Sequence, residues 1–306
     1  MTALITTMIK LFFSMAIGYF LKKRNIINDT VSRSVSALIV NISAPCLMFS
    51  SIVTMDSSQF QNALTLLWVG VLVYVGLILL AVLVVKLLKI EEAARGVYKA
   101  ALIFGNVSFL GIPLAQSLYG QEGVFYIALL NIHFMLLFFS YGIYMIMTSG
   151  GNKGSFSPKK LVNSGLISII AATLLYFLRI PVPDMIVEPL SFVGSLTSPV
   201  SMIIVGSSIA SYSLKKVFSM KKLYIMSVLK LLVFPIIAYF ILKLTLGDNL
   251  LTKIVCIYIG MPTASIVGMT AMAYGTDVEN TTSCITMMTV LSLVTIPIIY
   301  IVMLYL

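Results

Sequence analysis

The sequence predicts an all-α polytopic membrane protein with ten transmembrane helices, arranged as a 5+5 inverted repeat. The chain has 306 residues, of which 60% are hydrophobic and 10% charged, with a mean hydropathy of +1.08. Soluble domains are about one quarter charged. The uncharged run from Leu64 to Val85 is long enough to cross a hydrocarbon core of about 30 Å as a helix. Strand-type alternation is absent, so the spans are predicted to be helices.

Ten apolar segments follow one another along the chain. The first ends in Lys22, Lys23 and Arg24 and has no cleavage motif, so it is predicted to be a retained span. A stretch rich in Gly, Ser, Pro and Lys at 149–159 is predicted to be a cytoplasmic linker. The predicted spans are 3–21, 31–55, 62–87, 97–119, 123–148, 160–179, 185–211, 222–246, 252–274 and 278–304.

The second half of the chain repeats the first at an offset of 155 residues. Gly105 aligns with Gly260, and the pair Tyr119-Gly120 aligns with Tyr274-Gly275. Each half, 1–148 and 160–306, holds five spans, so the second copy enters the membrane inverted. Lysines and arginines concentrate in the loops on one side, and the positive-inside rule then puts both termini outside the cytoplasm.

Charge and cysteine usage exclude several classes of protein. The net charge is +10, but the basic residues sit in short clusters between apolar spans, so no nucleic-acid partner is predicted. Three scattered cysteines and one histidine support neither a disulfide framework nor a metal site, and no cofactor is expected. All ten acidic residues fall in loops or at span ends, so no intramembrane aspartyl protease is predicted, and a carboxylate sodium site or proton relay is not visible.

Two stretches break the helical pattern at matching places in the two halves. Gly105–Gly120 carries two early glycines, Asn106 and Pro113, and Gly260–Gly275 carries Pro262. Backbone groups freed by such breaks must be satisfied by protein, water or ligand, so matched breaks indicate a transporter binding site. Helix N-termini there suit a carboxylate. The predicted substrate-binding residues in these stretches are Asn106, Ser108, Phe109, Gly111, Pro113, Gly260, Pro262, Thr263 and Ser265.

Further candidates lie in other spans, and each has an alternative interpretation. Two proline motifs match across the repeat, and their polar residues either touch substrate or accompany helix kinks. The intramembrane histidine either carries a coupled proton or contacts the anion, or it is a neutral packed side chain. Lys230 either attracts an anion or extends to the cytoplasmic interface, and the second interpretation is favoured. Thr286, Thr289 and Ser292 fall on roughly one face of span 10, which either lines the cavity or makes interhelical hydrogen bonds. The additional site residues are Asn41, Ser43, Ser201, Asn131 and Thr289 for substrate and His133 for the proton.

Three sequence motifs resemble the bacterial auxin efflux carrier family, which is related to plant PIN proteins. They are NVSFLGIPL followed by YG, MPTA followed by AYG, and TVLSLVTIP at Thr289–Pro297. The resemblance implies the ten-helix fold of the bile-acid sodium symporters, with spans 1, 2, 6 and 7 as a scaffold domain. Spans 3–5 and 8–10 would form a transport domain, with broken helices 4 and 9 crossing. Asn106, Pro113 and Pro262 match the family's crossover residues.

The expected function is secondary transport of a small organic anion across the bacterial cytoplasmic membrane. The family resemblance suggests a carboxylate such as malate, or an auxin-like acid, moved by elevator-type alternating access. The expected partners are the substrate, the lipid bilayer and a second copy through the scaffold domain. Proton- or sodium-coupled symport, a channel and a membrane sensor for carboxylates remain alternatives. No enzyme activity is predicted.

Overall fold

The structure is a computed structural model that describes residues 2–149, 163–211 and 220–305. Its regular elements in these ranges are all helical, which confirms the predicted all-α class. The predicted linker at 149–159 lies outside the described residues, apart from Ser149. The α-helices are α1 Thr2–Lys23, α2 Asp29–Leu38, α3 Ala44–Val53, α4 Phe60–Leu87, α5 Arg95–Ile103, α6 Ile112–Leu137, α7 Ile143–Ser149, α8 Ser164–Phe177, α9 Asp184–Gly194, α10 Thr197–Ala210, α11 Lys221–Val228, α12 Phe234–Leu246, α13 Leu250–Ile259, α14 Ser265–Ala273 and α15 Val278–Tyr305.

Three π-helical turns each end two residues before a proline. Proline has no N–H, and its ring crowds the carbonyl of the preceding turn. A wider π turn relieves that crowding while the chain stays helical. These prolines therefore bend helical runs without ending them. The turns and their prolines are Ile39–Ser43 with Pro45, Val107–Gly111 with Pro113, and Leu229–Val233 with Pro235.

Six helical runs are long and apolar enough to cross a membrane, judged by length and composition. The chain is therefore a multi-pass membrane protein, and the count of ten spans stays a prediction. One run of 43 residues is not straight, because Gly120 within it has φ 62° and ψ −145°. The six runs are Asp29–Val53, Ser57–Leu87, Val107–Ser149, Asp184–Ala210, Lys221–Leu246 and Val278–Tyr305.

Residues with positive φ recur at nearly one spacing in the two halves of the chain. Six such residues occur in the described ranges, and they form three pairs separated by 154, 158 and 155 residues. Five of them lie just beyond the end of a helix, and Gly120 lies at the kink within α6. The sharp turns thus follow the offset of 155 that the sequence predicts. The pairs are Asn25 with Arg179, Lys89 with Gly247, and Gly120 with Gly275.

The chain forms two compact units. The first consists of Met1–Leu67, Val107–Ile132 and Val162–Tyr212. Within it, α1 packs tightly on α10. The backbones approach so closely that a Cβ at Gly18 would lie 1.9 Å from the Ile203 carbonyl oxygen. Small residues allow this close approach of two membrane helices.

The second unit consists of Trp68–Asn106, His133–Leu161 and Ser213–Leu306. In it α12 and α13 form a tight helical hairpin, and the Cys256 thiol donates a hydrogen bond to the Pro235 carbonyl at 3.1 Å. The four spans that the resemblance assigns to a scaffold fall in the first unit, which also includes Val107–Ile132. The assignment of scaffold and transport domains stays a prediction.

Candidate functional site

Two helices of the second unit are interrupted where the sequence predicts breaks. Helix α5 ends at Ile103, and the chain runs extended to Asn106, the last residue of this segment of the unit. Helix α13 ends at Ile259, and α14 begins only at Ser265. Both interruptions are buried, so their backbone groups need partners within the protein.

The two interruptions pair with each other. Gly105 and Thr263 form an isolated antiparallel bridge. On one side of it the Asn106 N–H donates to the Pro262 carbonyl at 2.6 Å, and on the other the Ala264 N–H donates to the Phe104 carbonyl at 2.9 Å. This is the hydrogen-bond pattern around one residue pair of an antiparallel sheet. One N–H and one carbonyl group of each break are therefore satisfied by the other break.

Local sequence explains why the pairing occurs at these residues. A Cβ at Gly105 would lie 2.9 Å from the Met261 Cβ, so the close approach needs glycine at 105. Pro262 disfavours a helical conformation of the residue before it. The Thr263 hydroxyl donates to the Ala101 carbonyl at 3.0 Å. That carbonyl is one of the last four of α5, which have no partner within a helix that stops here.

Asn106 is the most polar residue of the paired segments and is 3% exposed. Gly260, Pro262 and Thr263 lie in the partner segment, so the structure brings these four predicted site residues together in one unit. Ser265 begins α14 and is half-buried. The structure therefore gathers a core of the predicted site around the bridge.

The first break is shorter than the sequence predicts. The prediction places the broken stretch between Asn106 and Pro113, but helical structure resumes at Val107. Pro113 lies two residues after the π turn Val107–Gly111, inside the continuing helical run, so it bends that run without ending it. Its role as the breaking residue is therefore wrong. Ser108, Phe109 and Gly111 all belong to the π turn Val107–Gly111, in the first unit.

Three further predicted residues of the first unit have local or packing contacts. Asn41 is exposed and donates to the carbonyl of Ala37 at 2.9 Å. The Ser43 hydroxyl is buried and lies 2.7 Å from the Thr197 hydroxyl. Ser201 is fully buried, and its hydroxyl has no hydrogen-bond partner among the described residues. For Asn41 and Ser43 these contacts favour the kink interpretation over contact with substrate.

Asn131 and His133 have different surroundings, as their spacing of two residues predicts. Asn131 belongs to the first unit, where its amide nitrogen lies 3.8 Å from the Met48 sulfur. His133 belongs to the second unit and packs so closely on α4 that a Cβ at Gly70 would lie 2.5 Å from its Cε1. The two side chains therefore cannot be treated as one polar pair.

A buried tyrosine pair lies between the histidine and the second interruption, and sequence reasoning missed it. The Tyr74 and Tyr258 hydroxyls are 2.7 Å apart, and both residues are at most 3% exposed. The Tyr74 ring centroid lies 6.4 Å from that of His133, and Tyr258 comes two residues before Gly260. The sequence offered one signal for this pair: a tyrosine buried in an apolar span needs a hydrogen-bond partner for its hydroxyl.

Thr289 lies on α15 and is 5% exposed. The neighbouring hydroxyls of that face donate within their own helix, Thr286 to the Thr282 carbonyl at 2.9 Å and Ser292 to the Thr289 carbonyl at 2.7 Å. These two bonds do not join α15 to another helix.

Lys230 corrects a sequence prediction. Its side chain is only 1% exposed and ranks among the largest fully buried ones. The expected extension to the cytoplasmic interface is therefore wrong, because a lysine that reaches the interface keeps its ammonium group in water.

Membrane transporters place buried helix interruptions of this kind in multi-pass helical chains. A family described as membrane transport protein matches residues 3–164 and 153–300. The chain therefore belongs to this family, that of the auxin efflux carriers.

Two curated relatives match nearly the whole chain, and a third matches about half of it. One is an uncharacterized transporter of Methanothermobacter thermautotrophicus, 22% identical over 95% of each chain. Another is an uncharacterized transporter of Methanocaldococcus jannaschii, 25% identical over 92% of each chain. Protein ECM3 of Saccharomyces cerevisiae is 25% identical over 46% of this chain and 24% of its own. The family and the two archaeal relatives indicate a membrane transporter.

Proposed function

We propose that this transporter moves a small organic anion with a carboxylate group across the cytoplasmic membrane, by alternating access of the elevator type. The observation that carries the proposal is the pair of interrupted helices joined at Gly105 and Thr263. Non-helical backbone at membrane depth is tolerated where it is buried in protein or lines a cavity, and carriers place their substrates at such interruptions.

The ten-helix inverted repeat belongs to the same proposal. It is supported by the alignment of Gly105 with Gly260 and by the three pairs of positive-φ residues at offsets of 154 to 158. When each of two inverted repeats has an odd number of helices, the interrupted helices of the two repeats lie near the membrane midplane. Carriers of this type bind their substrates there.

Carboxylate recognition is supported by the polar groups of the second interruption. Helix α14 begins at Ser265, and the residue before it, Ala264, provides no side-chain cap. The first N–H groups of such a helix favour a negative charge. We assign Asn106 and Ser265 as the first substrate contacts, with the Gly260–Thr263 backbone as their frame.

The test is ligand binding and flux with the purified protein. Malonate, malate and succinate are compared with their uncharged diamides by thermal shift in detergent, and then by uptake into proteoliposomes. A ligand that binds the folded state raises the unfolding temperature by mass action, so at least one carboxylate is expected to do so and its diamide is not. A uniform lack of both shift and flux with mono- and dicarboxylates would contradict the proposal.

A second candidate is proton-coupled transport through His133. It is favoured by the Tyr74–Tyr258 pair, which lies between the imidazole and the second interruption. The His133→Gln variant is then expected to flatten the pH profile of uptake between pH 5.5 and 8. An unchanged profile in this variant leaves a uniporter or exchanger as the mechanism.

A further inference from the structure

Lys230 is a lysine in the interior of the second unit for which that unit offers no counter-charge. All ten acidic residues of the chain are described, and the ion pairs among the described residues involve Lys22, Lys243 and Lys253. The Lys230 ammonium forms neither an ion pair nor a hydrogen bond with a described residue. An ammonium group that is buried without a partner is strongly unfavourable, so the charged form of Lys230 needs an anionic ligand.

The helical hairpin gives the depth of Lys230. Cys256 on α13 contacts the Pro235 carbonyl, and a Cβ at Gly260 would lie 3.4 Å from the Pro235 ring. The two helices run antiparallel, so counting forward along α13 and backward along α12 moves in the same direction across the membrane. Five residues forward from Cys256 is Met261, and five residues back from Pro235 is Lys230. The lysine therefore lies at the level of the second interruption, within about one helical turn.

Lys230 also faces the interior of the unit. The buried residues of this run recur at helical spacing on one stripe, so the lysine shares its face with apolar core positions. The stripe contacts α15, whose buried polar side chains in this region are hydroxyls rather than carboxylates. The residues of the stripe are Leu223, Met226, Ser227, Lys230, Leu231, Phe234 and Pro235.

Ser227 supplies a second donor beside the lysine. It is 1% exposed, and its hydroxyl has no hydrogen-bond partner among the described residues. Side chains three residues apart on a helix are neighbours, about 5 to 6 Å apart at Cβ. A buried hydroxyl and a buried ammonium, both without protein acceptors, thus share one patch. A carboxylate has the two acceptor oxygens and the negative charge that this pair lacks.

We propose that Lys230 and Ser227 bind the carboxylate of the transported anion, with the Lys230 ammonium as its counter-charge. This inference rests on the proposed transport of organic anions and names the group that recognises them. It also gives a basis for selecting an anion: the Lys230 amine, protonated opposite the bound carboxylate, pairs with an anion and repels cations.

The inference is tested by binding of malonate, malate, succinate and benzoate to the purified full-length chain and its variants in detergent. Lys230→Met keeps the shape and length of the side chain but removes its charge. It is expected to weaken the affinity for the best-binding carboxylate by about 10- to 100-fold, the range of a lost hydrogen bond to a charged group. Lys230→Arg is expected to retain part of the affinity, and Ser227→Ala to lose a few-fold.

Lys10→Met is the matched control, because Lys10 is also within an apolar helix but is exposed. It is expected to bind carboxylates as the parent does. The unfolding temperature without ligand separates a binding role from a structural one. Methionine in place of an unpaired buried ammonium is expected to leave that temperature unchanged or raised.

A Lys230→Met protein with parental carboxylate affinity would overturn the inference and would leave the proposed anion transport intact. A lowered unfolding temperature in that same protein would show that the Lys230 side chain stabilises the fold instead. If the parent itself binds no carboxylate, the proposed function fails and this inference fails with it.

Discussion

The two interruptions are alike in position and different in construction. In the first, the chain leaves α5 after Ile103 and is helical again from Val107. In the second, the non-helical chain extends from Gly260 to Ala264. At the offset of 155, the repeat partner of Val107 is Pro262, which disfavours a helical conformation of Met261 and delays the restart. Equivalent positions in a repeat thus carry unequal breaks, because a single proline occupies only one of them.

The polar groups are also divided unequally between the two breaks. The first carries Asn106 where the second carries Met261, and the second carries Tyr258 where the first carries Ile103. Thr263 already donates its hydroxyl to the Ala101 carbonyl. We infer that the first break contributes the Asn106 amide to recognition, and that the second contributes the helix end at Ser265 and the supporting frame.

The largest expected difference concerns transport. Asn106→Ala is expected to lower carboxylate uptake at least about 10-fold, because it removes the amide from the paired segments. Its repeat partner offers the control: Met261→Leu conserves side-chain volume and is expected to change uptake less than about 2-fold. Both are measured in proteoliposomes with matched protein content. Equal losses in the two variants would contradict the division of roles.

The two glycines of the interruptions are expected to differ in stability. A Cβ at Gly105 would lie 2.9 Å from the Met261 Cβ. Because a Cβ moves only with its backbone, only a backbone shift can relieve this contact. A Cβ at Gly260 meets the flexible end of Ile299 at 2.8 Å. Gly105→Ala is therefore expected to cost about 2 kcal/mol and Gly260→Ala about 1 kcal/mol or less. Thermal unfolding in detergent measures both, and a larger loss for Gly260→Ala would reverse this ranking.

The Tyr74–Tyr258 pair tests how much the contacts beside the second break stabilise the fold. Tyr74→Phe and Tyr258→Phe each leave one buried hydroxyl with its partner removed, at a cost of about 1 to 2 kcal/mol. The double variant removes both hydroxyls and is expected to be more stable than either single variant. A double-mutant cycle of unfolding temperatures provides the measurement. Additive losses would show that the 2.7 Å contact contributes little.

The smallest expected effect compares the hydroxyls of the two stretches. Thr263→Val leaves the Ala101 carbonyl without its hydroxyl donor, at a cost of about 1 kcal/mol. Ser108→Ala, its repeat partner, is expected to change stability by about 0.5 kcal/mol or less, because Ser108 lies half-buried in a helical turn. Chemical denaturation or thermal unfolding would resolve the order, and a larger loss for Ser108→Ala would contradict it.

Composition and periodicity determined much of the fold. Long apolar runs without strand alternation predict membrane helices, and the regular elements of the described ranges are all helical apart from the bridge at Gly105 and Thr263. The offset of 155 aligned Gly260 and Pro262 with the first glycine-rich stretch, and the helical run is interrupted there, between α13 and α14. These results follow from local chemistry, since glycine and proline act through their own backbone geometry.

Tertiary contacts decided the rest. Pro113 reads as a helix breaker, but a π turn before it lets the helix continue, whereas Phe104–Asn106 is held extended by the partner break. The sequence predicts that the Lys230 side chain extends to the cytoplasmic interface, yet packing buries it. The sequence alone determined that two helices carry potential breaks. Only the paired backbone decided which residues leave the helix, because a freed N–H or carbonyl in an apolar interior stays where another segment can bond to it.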